Sequence, residues 1–237
     1  PRAKPYSECL MQRVPIIDPR AVPVVGTDLN HPAVPAARMT PEALRARFDA
    51  PPAWTPDILG DGRLLDREPT AASVLIPLVR REAGMSVPLT LRTDHLKDHA
   101  GQISFPGGRA EAEDIDAVAT ALRETEEEVG LARDHIEVIG ALPVYTTVTN
   151  FVVTPIVAIV APGFSLRPDP IEVAEVFEVP LDFLMTPAHH QRHAFDWQGG
   201  RREFWAMPWH APDRDEAYFI WGATAAMLRN LYRFLST

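Results

Sequence analysis

Residues 107–131 of the chain read GGRAEAEDIDAVATALRETEEEVGL, a pair of glycines followed by a segment rich in glutamate. At about 100° per residue, an α-helix places the side chains of Glu124, Glu127 and Glu128 within roughly 100° of one another. Glu126 falls about 160° from Glu124 by the same geometry. The segment therefore predicts a helix with one strongly acidic side.

The opposite side of this predicted helix is apolar. Its residues follow the i, i+3, i+4 spacing of a stripe that packs onto a core. They are Ile115, Val118, Leu122 and Val129, with Thr125 between them. Gly130 stands where a C-cap glycine ends a helix. We expect a short helix that is buried along one side and acidic along the other.

The acidic side predicts a site for a hard divalent cation. Like charges three and four residues apart on a helix repel by about 0.2–0.5 kcal/mol per pair, and a bound cation removes that repulsion. Ligands that are all oxygens favour Mg²⁺ or Mn²⁺. The alternative is a solvated helix face. The preceding Phe105-Pro106-Gly107-Gly108 favours the metal, because a glycine turn lets backbone approach a ligand.

Residues 123–131, RETEEEVGL, resemble the REUxEExGU half (U, aliphatic) of the signature of Nudix hydrolases, which cleave nucleoside diphosphates linked to another moiety. The resemblance implies that Glu124, Glu127 and Glu128 bind the metal and that Arg123 orients them by charge-assisted hydrogen bonds. Glu127 and Arg123 are thus candidate catalytic residues. There are two departures: Thr125 replaces an aliphatic residue, and one extra residue separates Asp114 from Arg123, which leaves the role of Asp114 open.

Residues 89–108, LTLRTDHLKDHAGQISFPGG, resemble LLTxR(S/A)x3Rx3Gx3FPGG, a second signature found in the coenzyme A pyrophosphatase branch of that family. The spacing is kept, with Pro88, Thr93 and Lys97 as substitutions. Lysine keeps the charge of arginine but lacks its planar fork. The alternative is a strand followed by a surface loop. The candidate substrate-binding residues are Arg92, Lys97, Gly107, Gly108 and Arg109, although an isolated Arg or Lys is by default a solvated charge.

The resemblance also implies a general base, which in the family often lies outside the helix. Glu172 and Glu175 are candidates because they lie at a predicted loop-to-strand junction. We favour Glu172. The alternative for either residue is an ordinary surface acid.

The resemblance implies an α/β fold, a Nudix-like α/β/α sandwich with a mixed β-sheet, over residues 71–237. Half of the 24 prolines lie before residue 70, so residues 1–70 are predicted to be a proline-rich N-terminal extension. One short helix is expected at Pro41–Asp49, behind Thr40 as N-cap. Further apolar residues could anchor this extension, namely Val14, Ile16, Ile17, Val22, Val24 and Val25.

Periodicity and turn residues predict the remaining elements of the domain. Gly199-Gly200 is expected to turn a hairpin between Phe195–Gln198 and Arg201–Trp205. A helical turn is expected at Pro180–Met185 and a last helix at Gly222–Leu235. The predicted strands are Ser73–Arg80, Pro88–Arg92, Ile136–Tyr145, Val152–Val160 and Glu175–Val179.

Composition is that of a single soluble enzyme. The 237 residues are 46% hydrophobic and carry a net charge of −9, which disfavours broad nucleic-acid binding. No apolar run reaches membrane-spanning length. The single cysteine, Cys9, excludes an internal disulfide framework and predicts a cytoplasmic location. A homodimer is left open.

The histidines His189, His190 and His193 match no spacing of a zinc site, so a loop or surface position is expected for them. Four tryptophans near them are expected to pack the hairpin and the last helix rather than a nucleobase, although Trp205 or Phe204 could stack on a base. They are Trp197, Trp205, Trp209 and Trp221.

The sequence thus predicts a Mg²⁺- or Mn²⁺-dependent hydrolase. The second signature implies coenzyme A or acyl-coenzyme A as substrate, cleaved to 3′,5′-ADP and a 4′-phosphopantetheine. Two alternatives remain: a general pyrophosphatase acting on ADP-ribose, NADH or dinucleotides, and a Nudix-like binding module without catalysis.

Overall fold

The computed structural model describes residues 18–61, 68–96, 100–197 and 200–237. These residues form an α/β domain with two sheets. The elements, in chain order, are β1 Val24–Thr27, α1 Pro41–Asp49, β2 Thr70–Arg81, β3 Gly84–Arg92, β4 Ile103–Ser104, β5 Gly107–Arg109, α2 Ala117–Val129, β6 Ile136–Ala141, β7 Tyr145–Thr146, β8 Phe151–Val160, β9 Val173–Pro180, α3 Leu181–Leu184, β10 Gln191–Trp197, β11 Gly200–Trp209, β12 Tyr218–Trp221 and α4 Gly222–Ser236. Short 3-10 turns lie at Pro19–Ala21, Ala36–Arg38, Arg133–His135 and Pro187–His189.

The main sheet is mixed, as predicted. Its central order is β4-β3-β2-β8-β6, with β5 beside β2, β7 beside β8 and β9 beside β3. β2 and β8 run parallel from the Thr70 and Phe151 pair to the Val79 and Val160 pair. The remaining pairs of this sheet are antiparallel. A strand covered on both faces reads as a nearly continuous apolar run, which is why β2 and β8 were recognisable from sequence.

Helices cover both faces of the main sheet. Successive residues of a strand point to opposite faces, so Leu75 meets Ala121 of α2, whereas Ile76 packs in the cluster that contains Leu228 and Leu231 of α4. The predicted α/β/α sandwich is confirmed. No helix among the described residues combines the length and the apolar character needed to cross a membrane.

Helix α2 begins later than its apolar pattern predicts. Asp116 is the N-cap, and its carboxylate accepts a hydrogen bond of 2.7 Å from the Ala119 amide. Ile115 therefore precedes the helix and is 90% exposed, so its predicted place in the buried stripe was wrong. The helix ends at Gly130, whose φ of +67° is the left-handed conformation expected of a C-cap glycine.

A second, antiparallel sheet has the order β1-β10-β11-β12. The predicted hairpin corresponds to β10 and β11, which pair from Gln191 and Ala206 to Trp197 and Gly200. Gly199 of the predicted turn lies outside the described residues. The sequence did not predict β1 or β12, because each is four residues long and pairs with a neighbour that comes from elsewhere in the chain or after a loop.

The segment before residue 61 packs against α4. Helix α1 has the predicted bounds, and the Thr40 hydroxyl accepts a hydrogen bond of 3.2 Å from the Ala43 amide. The guanidinium of Arg38 donates to the Leu235 carbonyl at 3.1 Å, and the Tyr232 hydroxyl donates to the Pro32 carbonyl at 2.9 Å. This segment is therefore held on the last helix. The predicted division near residue 70 stays a prediction.

The predicted apolar anchors of this segment have different outcomes. Val22 is buried, but Val24 and Val25 in β1 are exposed, so the expectation was wrong for these two. They lie on a strand with one paired neighbour, β10, which leaves much of their surface in solvent. Val14, Ile16 and Ile17 lie outside the described residues.

The other predicted elements are found with shifted ends. The strands predicted around residues 76, 90, 156 and 177 lie within β2, β3, β8 and β9, and the last two helices are α3 and α4. The predicted strand Ile136–Tyr145 is interrupted, since β6 ends at Ala141 and β7 begins at Tyr145. Pro143, which lies in this gap, has no amide proton to donate to a ladder.

Candidate active site

The glycine pair and the acidic helix are in direct contact. The Gly107 amide donates a hydrogen bond of 3.0 Å to Oε2 of Glu128. Gly107 has a φ of +150°, and a Cβ there would lie 2.4 Å from the Ser73 carbonyl oxygen. A Cβ on Gly108 would lie 2.5 Å from the carboxylate of Glu124. Only glycine fits at these two positions. Because neither residue has a Cβ, the loop backbone lies directly against Glu124 and Glu128, two of the predicted metal ligands.

Arg123 organises the outer part of the cluster. Its Nη1 donates to Oε1 of Glu124 at 3.1 Å and to Oε2 of Glu127 at 2.9 Å. Its Nε and Nη2 donate to the two carboxylate oxygens of Asp114 at 3.1 and 2.9 Å. The predicted orienting contacts of Arg123 with Glu124 and Glu127 are therefore present.

Asp114 is the partner that orients Arg123. Hydrogen bonds from Arg123 and from the Glu111 amide hold the pKa of Asp114 well below its usual range, and the same pair raises the pKa of Arg123. The Thr120 hydroxyl also donates to Asp114, at 2.9 Å. The pair therefore forms despite the extra residue between Asp114 and Arg123. Asp114 is a positioning residue.

Glu128 is the most deeply placed carboxylate of the cluster. Its side chain is 4% exposed, and Oε1 accepts a hydrogen bond of 3.1 Å from Nη1 of Arg92. Burial raises the pKa of Glu128 to about 7, although the Gly107 amide and Arg92 oppose the shift and Glu172 and Glu124 reinforce it. Burial likewise raises the pKa of Glu124, against the charge of Arg123. The inner part of the cluster is therefore short of positive charge.

This charge shortage fits a divalent cation. The predicted ligands are all oxygens, the set that Mg²⁺ and Mn²⁺ prefer. Within the described ranges, no three acidic or histidine side chains already converge on one point, because arginines and a backbone amide hold the glutamate oxygens. Glu127 is 60% exposed, and its carboxylate accepts a hydrogen bond from Arg123, so it can rotate once that bond is exchanged for a bond to the ion. The residues present thus fit the ion after side-chain rotation.

The two candidate bases lie in different surroundings. Oε2 of Glu172 is 3.5 Å from Nη2 of Arg92, on the side of the glutamate cluster. Glu175 instead accepts hydrogen bonds from the Tyr218 hydroxyl and from Nη1 of Arg214. Of the two, only Glu172 shares a partner with Glu128.

The predicted substrate-binding cations are also distributed unevenly. Arg92 places its guanidinium between Glu128 and Glu172. The guanidinium carbon of Arg109 lies 5.4 Å from the centroid of the Phe151 ring, a neighbour that the sequence did not indicate. Lys97 lies outside the described residues. Each assignment stays a prediction.

The three histidines point to separate partners. His190 Nε2 donates to the Leu184 carbonyl at 2.7 Å, His193 Nδ1 donates to the Val22 carbonyl at 2.8 Å, and His189 Nδ1 lies 3.0 Å from the Phe183 carbonyl.

His190 and His193 are buried. His190 lies in a loop, as expected, but is enclosed by Arg229, whose Nη1 donates to its Nδ1 at 3.1 Å, and by the rings of Trp205 and Tyr232. The expected position was wrong for His193, which lies in β10 and is covered by its unpredicted pairing with β1.

Three of the tryptophans pack as expected. Trp205 faces the guanidinium of Arg229 on α4 at 4.8 Å. Trp209 stacks with Tyr218 at 5.7 Å, and Trp221 meets Phe204 at 5.4 Å. The side chain of Trp197 lies outside the described residues.

The glycine loop lies against an acidic helix, and an arginine contacts two of the acids, as expected for the Nudix signature. The family model of the NUDIX domain matches residues 69–198, more than half of the chain. The chain therefore belongs to the Nudix hydrolase family and is a pyrophosphohydrolase. Members of the family act on small nucleotide substrates and generally use divalent metals.

Two relatives in sequence agree with this family assignment. A protein of Citrobacter koseri named uncharacterized Nudix hydrolase NudL is 40% identical over 171 residues, 72% of this chain and 84% of its own length. The protein of the same name in Escherichia coli K12 is 42% identical over 161 residues, covering 68% and 80%. The crystal structure of RenU, a Nudix hydrolase from M. smegmatis, matches 52% of this chain and 78% of its own with 20% identity and a TM-score of 0.43.

Proposed function

We propose that this chain is a Mg²⁺- or Mn²⁺-dependent pyrophosphohydrolase that cleaves coenzyme A or acyl-coenzyme A to 3′,5′-ADP and a 4′-phosphopantetheine. The observation that carries the substrate class is the position of Arg92. This residue belongs to the segment that resembles the coenzyme A branch, and its guanidinium lies on both Glu128 and Glu172. A branch-specific residue is thus built into the acidic cluster.

Glu124, Glu127 and Glu128 would hold the ion. When bound, a divalent cation neutralises the diphosphate charge and lowers the pKa of a coordinated water. Arg123, itself held by Asp114, orients the carboxylates of Glu124 and Glu127. The Gly107 amide orients the carboxylate of Glu128.

Glu172 is the proposed general base. Its carboxylate is partly exposed, and Arg92 holds it beside the cluster. The Thr93 amide donates to the Glu172 carbonyl at 3.0 Å, and the Thr93 hydroxyl donates to the Ile171 carbonyl at 2.8 Å, so the backbone that carries this carboxylate is fixed. A positioned carboxylate of this kind can accept a proton from an attacking water.

Product analysis with a panel of substrates tests the proposal. Purified protein is incubated with coenzyme A, ADP-ribose, NADH and diadenosine polyphosphates, in Mg²⁺ or Mn²⁺ and then in chelator. We expect 3′,5′-ADP and 4′-phosphopantetheine from coenzyme A and no product in chelator. Cleavage of ADP-ribose without cleavage of coenzyme A would instead establish a general nucleoside-diphosphate pyrophosphatase. Ligand-dependent stabilisation without any product would indicate a binding module. Assembly as a homodimer and a cytoplasmic location stay predictions.

A further inference from the structure

Arg109 differs from the two other arginines near the acidic cluster. Arg92 and Arg123 each contact at least two carboxylates. Arg109 is exposed, and within the described ranges no carboxylate forms an ion pair with its guanidinium, which lies over the ring of Phe151. One face of a planar cation is therefore covered by an aromatic ring, and its hydrogen-bond donors remain available.

The side chain of Arg109 points away from the glutamates. In the pairing of β5 with β2, Gly108 lies opposite Ser73 and Arg109 lies opposite Ala72. Gly108 faces Glu124 on the α2 side. Because successive strand residues face opposite sides, Arg109 faces the α4 side, where Phe151 packs against the main core. Adjacent Cα atoms are only about 3.8 Å apart. The side chain of Arg109 therefore starts next to Gly108 and extends over the α4 face of the main sheet.

Phe151, whose ring lies under Arg109, follows a turn that is closed by hydrogen bonds. The Thr147 amide donates to the Phe151 carbonyl at 2.9 Å, and the Phe151 amide donates to the Thr147 hydroxyl at 3.0 Å. Asn150 closes the turn with a φ of +69° and is fully buried. Its carbonyl accepts the Thr70 amide at 3.0 Å. The backbone that carries the Phe151 ring is thus held in place before any ligand binds.

The chemistry of this pair suits a phosphate that is not cleaved. A guanidinium presents its donors as a fork that matches phosphate oxygens. A diphosphate bound at the acidic cluster would lie on the α2 side, so a group that reaches Arg109 would be a different part of the substrate. The chain carries a net charge of −9, and an arginine that has no carboxylate partner among the described residues provides local attraction for a second anionic group.

We propose that Arg109, supported by the Phe151 ring, binds the 3′-phosphate of a nucleotide whose diphosphate is cleaved at the glutamate cluster. This inference rests on the proposed function and narrows its substrate class to nucleotides that carry a 3′-phosphate. Arg109 then decides specificity, while the glutamates decide turnover.

The test compares ligands that differ only by that phosphate. Calorimetric titration measures the affinity of 3′,5′-ADP and of AMP for the wild-type protein and for Arg109→Gln. Steady-state kinetics measure kcat and KM for coenzyme A and 3′-dephospho-coenzyme A with the same proteins. Arg167→Gln is the matched control, because Arg167 is also exposed and lies beside Gly130 at the far end of α2.

We expect the wild type to prefer each 3′-phosphorylated ligand. Loss of a charged hydrogen bond lowers affinity by roughly tenfold to a hundredfold, so Arg109→Gln should lose a preference of that size, mainly through KM. Arg167→Gln should keep the preference. The inference would be overturned if Arg109→Gln lost the same affinity for the ligand with the 3′-phosphate and for the ligand without it, or if the wild type showed no preference. Neither result would affect the hydrolysis of coenzyme A. An Arg109-dependent preference for 3′,5′-ADP without cleavage of coenzyme A would instead support the anchor and refute the proposed function.

Discussion

Two clusters of charged side chains lie on opposite faces of the main sheet, one around the glutamates of α2 and one around Arg229 of α4. Arg229 is buried, yet its charge is matched by Asp28 and by Asp57, whose Oδ2 is 2.9 Å from Nε of Arg229. The rings of Trp205 and Tyr232 lie 4.8 and 4.9 Å from its guanidinium carbon. This second cluster joins the N-terminal segment to the last helix.

The pKa values of carboxyl groups in the two clusters are shifted in opposite directions. Burial opposes the ionisation of Asp28, but the charge and hydrogen bond of Arg229 outweigh it, and the pKa of Asp28 is lowered. At Glu128 burial prevails, and the pKa rises to about 7. The cluster around Arg229 is balanced by its own residues, whereas the cluster on α2 is not, which supports the proposed binding of a cation there. A buried ion network that is balanced supports structure, and one that is not balanced indicates a ligand.

Removal of one metal ligand should have the largest effect. Glu127→Gln is expected to lower turnover on the order of a thousandfold, since a catalytic ion contributes several kcal/mol of transition-state stabilisation. Folding should be preserved because Glu127 is largely exposed. Steady-state rates and thermal unfolding check both expectations.

Glu126→Gln is the matched control for this change. Glu126 lies on the same helix but pairs with Arg133 at the surface. Turnover by this variant should equal that of the wild type. Equal losses in the two variants would mean that the acidic side of α2 has no special role.

A methyl group at Gly108 should have the next largest effect. Gly108→Ala places a Cβ against the Glu124 carboxylate, and displacement of a catalytic group by about 1 Å can lower activity on the order of a hundredfold. Gly163→Ala is the contrast, because no atom lies within 4 Å of the absent Cβ of Gly163, although this glycine, unlike Gly108, has a positive φ. We expect the Gly163 variant to lose some stability and no activity. A Gly108 variant with wild-type kcat would contradict the described contact.

Loss of the charge that orients Arg123 should have a moderate effect. Asp114→Asn weakens two charge-assisted hydrogen bonds and should lower kcat by roughly tenfold, given a value of about 1.5–3 kcal/mol for such bonds. Asp116→Asn makes the same chemical change two residues later, at a cap position where asparagine is equally effective. Rates measured in parallel should differ only for Asp114. A reduced rate in both variants would assign the effect to the turn rather than to the Arg123 pair.

The balanced cluster predicts a pH effect on stability. Burial lowers the pKa of His190 to about 4, although its bond to the Leu184 carbonyl opposes the shift. The unfolded chain takes up this proton near pH 6.5, before the folded chain does, so stability is full above pH 6.5 and falls until about pH 4. The loss is roughly 3 kcal/mol at most.

Urea unfolding between pH 7 and pH 4 measures this pH effect. His190→Gln should flatten the dependence across that window, whatever its effect on stability at pH 7. His210→Gln, at an exposed position, should leave the slope unchanged. An unchanged slope in the His190 variant would show that other groups control acid unfolding.

The sequence predicted best where the physical signal is local. The apolar runs of β2 and β8, the capped start of α1 and the glycine end of α2 each depend on neighbouring residues, and each was found. Ile115 was misplaced because a stripe of apolar residues does not reveal that Asp116 begins the helix. β1 was missed, and with it the burial of His193, because that strand depends on a partner more than 160 residues later.

The candidate site shows the same division. The glutamates shared a helical face by spacing alone, and their contact with the glycine loop follows from a signature that joins the two. The contact of Asp114 with Arg123 could be recognised only in the structure, because an inserted residue changes their spacing in the sequence. Phe151 was not predicted for the same reason: it meets Arg109 only because β5 and β8 both flank β2.

Direct measurement of metal binding tests the central claim most closely. Mn²⁺ is titrated into the substrate-free protein and followed by electron paramagnetic resonance for the wild type, Glu127→Gln, Glu128→Gln and the control Glu126→Gln. The unbalanced charge on α2 predicts that the wild type and the control bind Mn²⁺ alike and that the other two variants bind it at least about tenfold more weakly, as expected when a ligand is lost. Wild-type affinity in Glu127→Gln and Glu128→Gln would contradict the account.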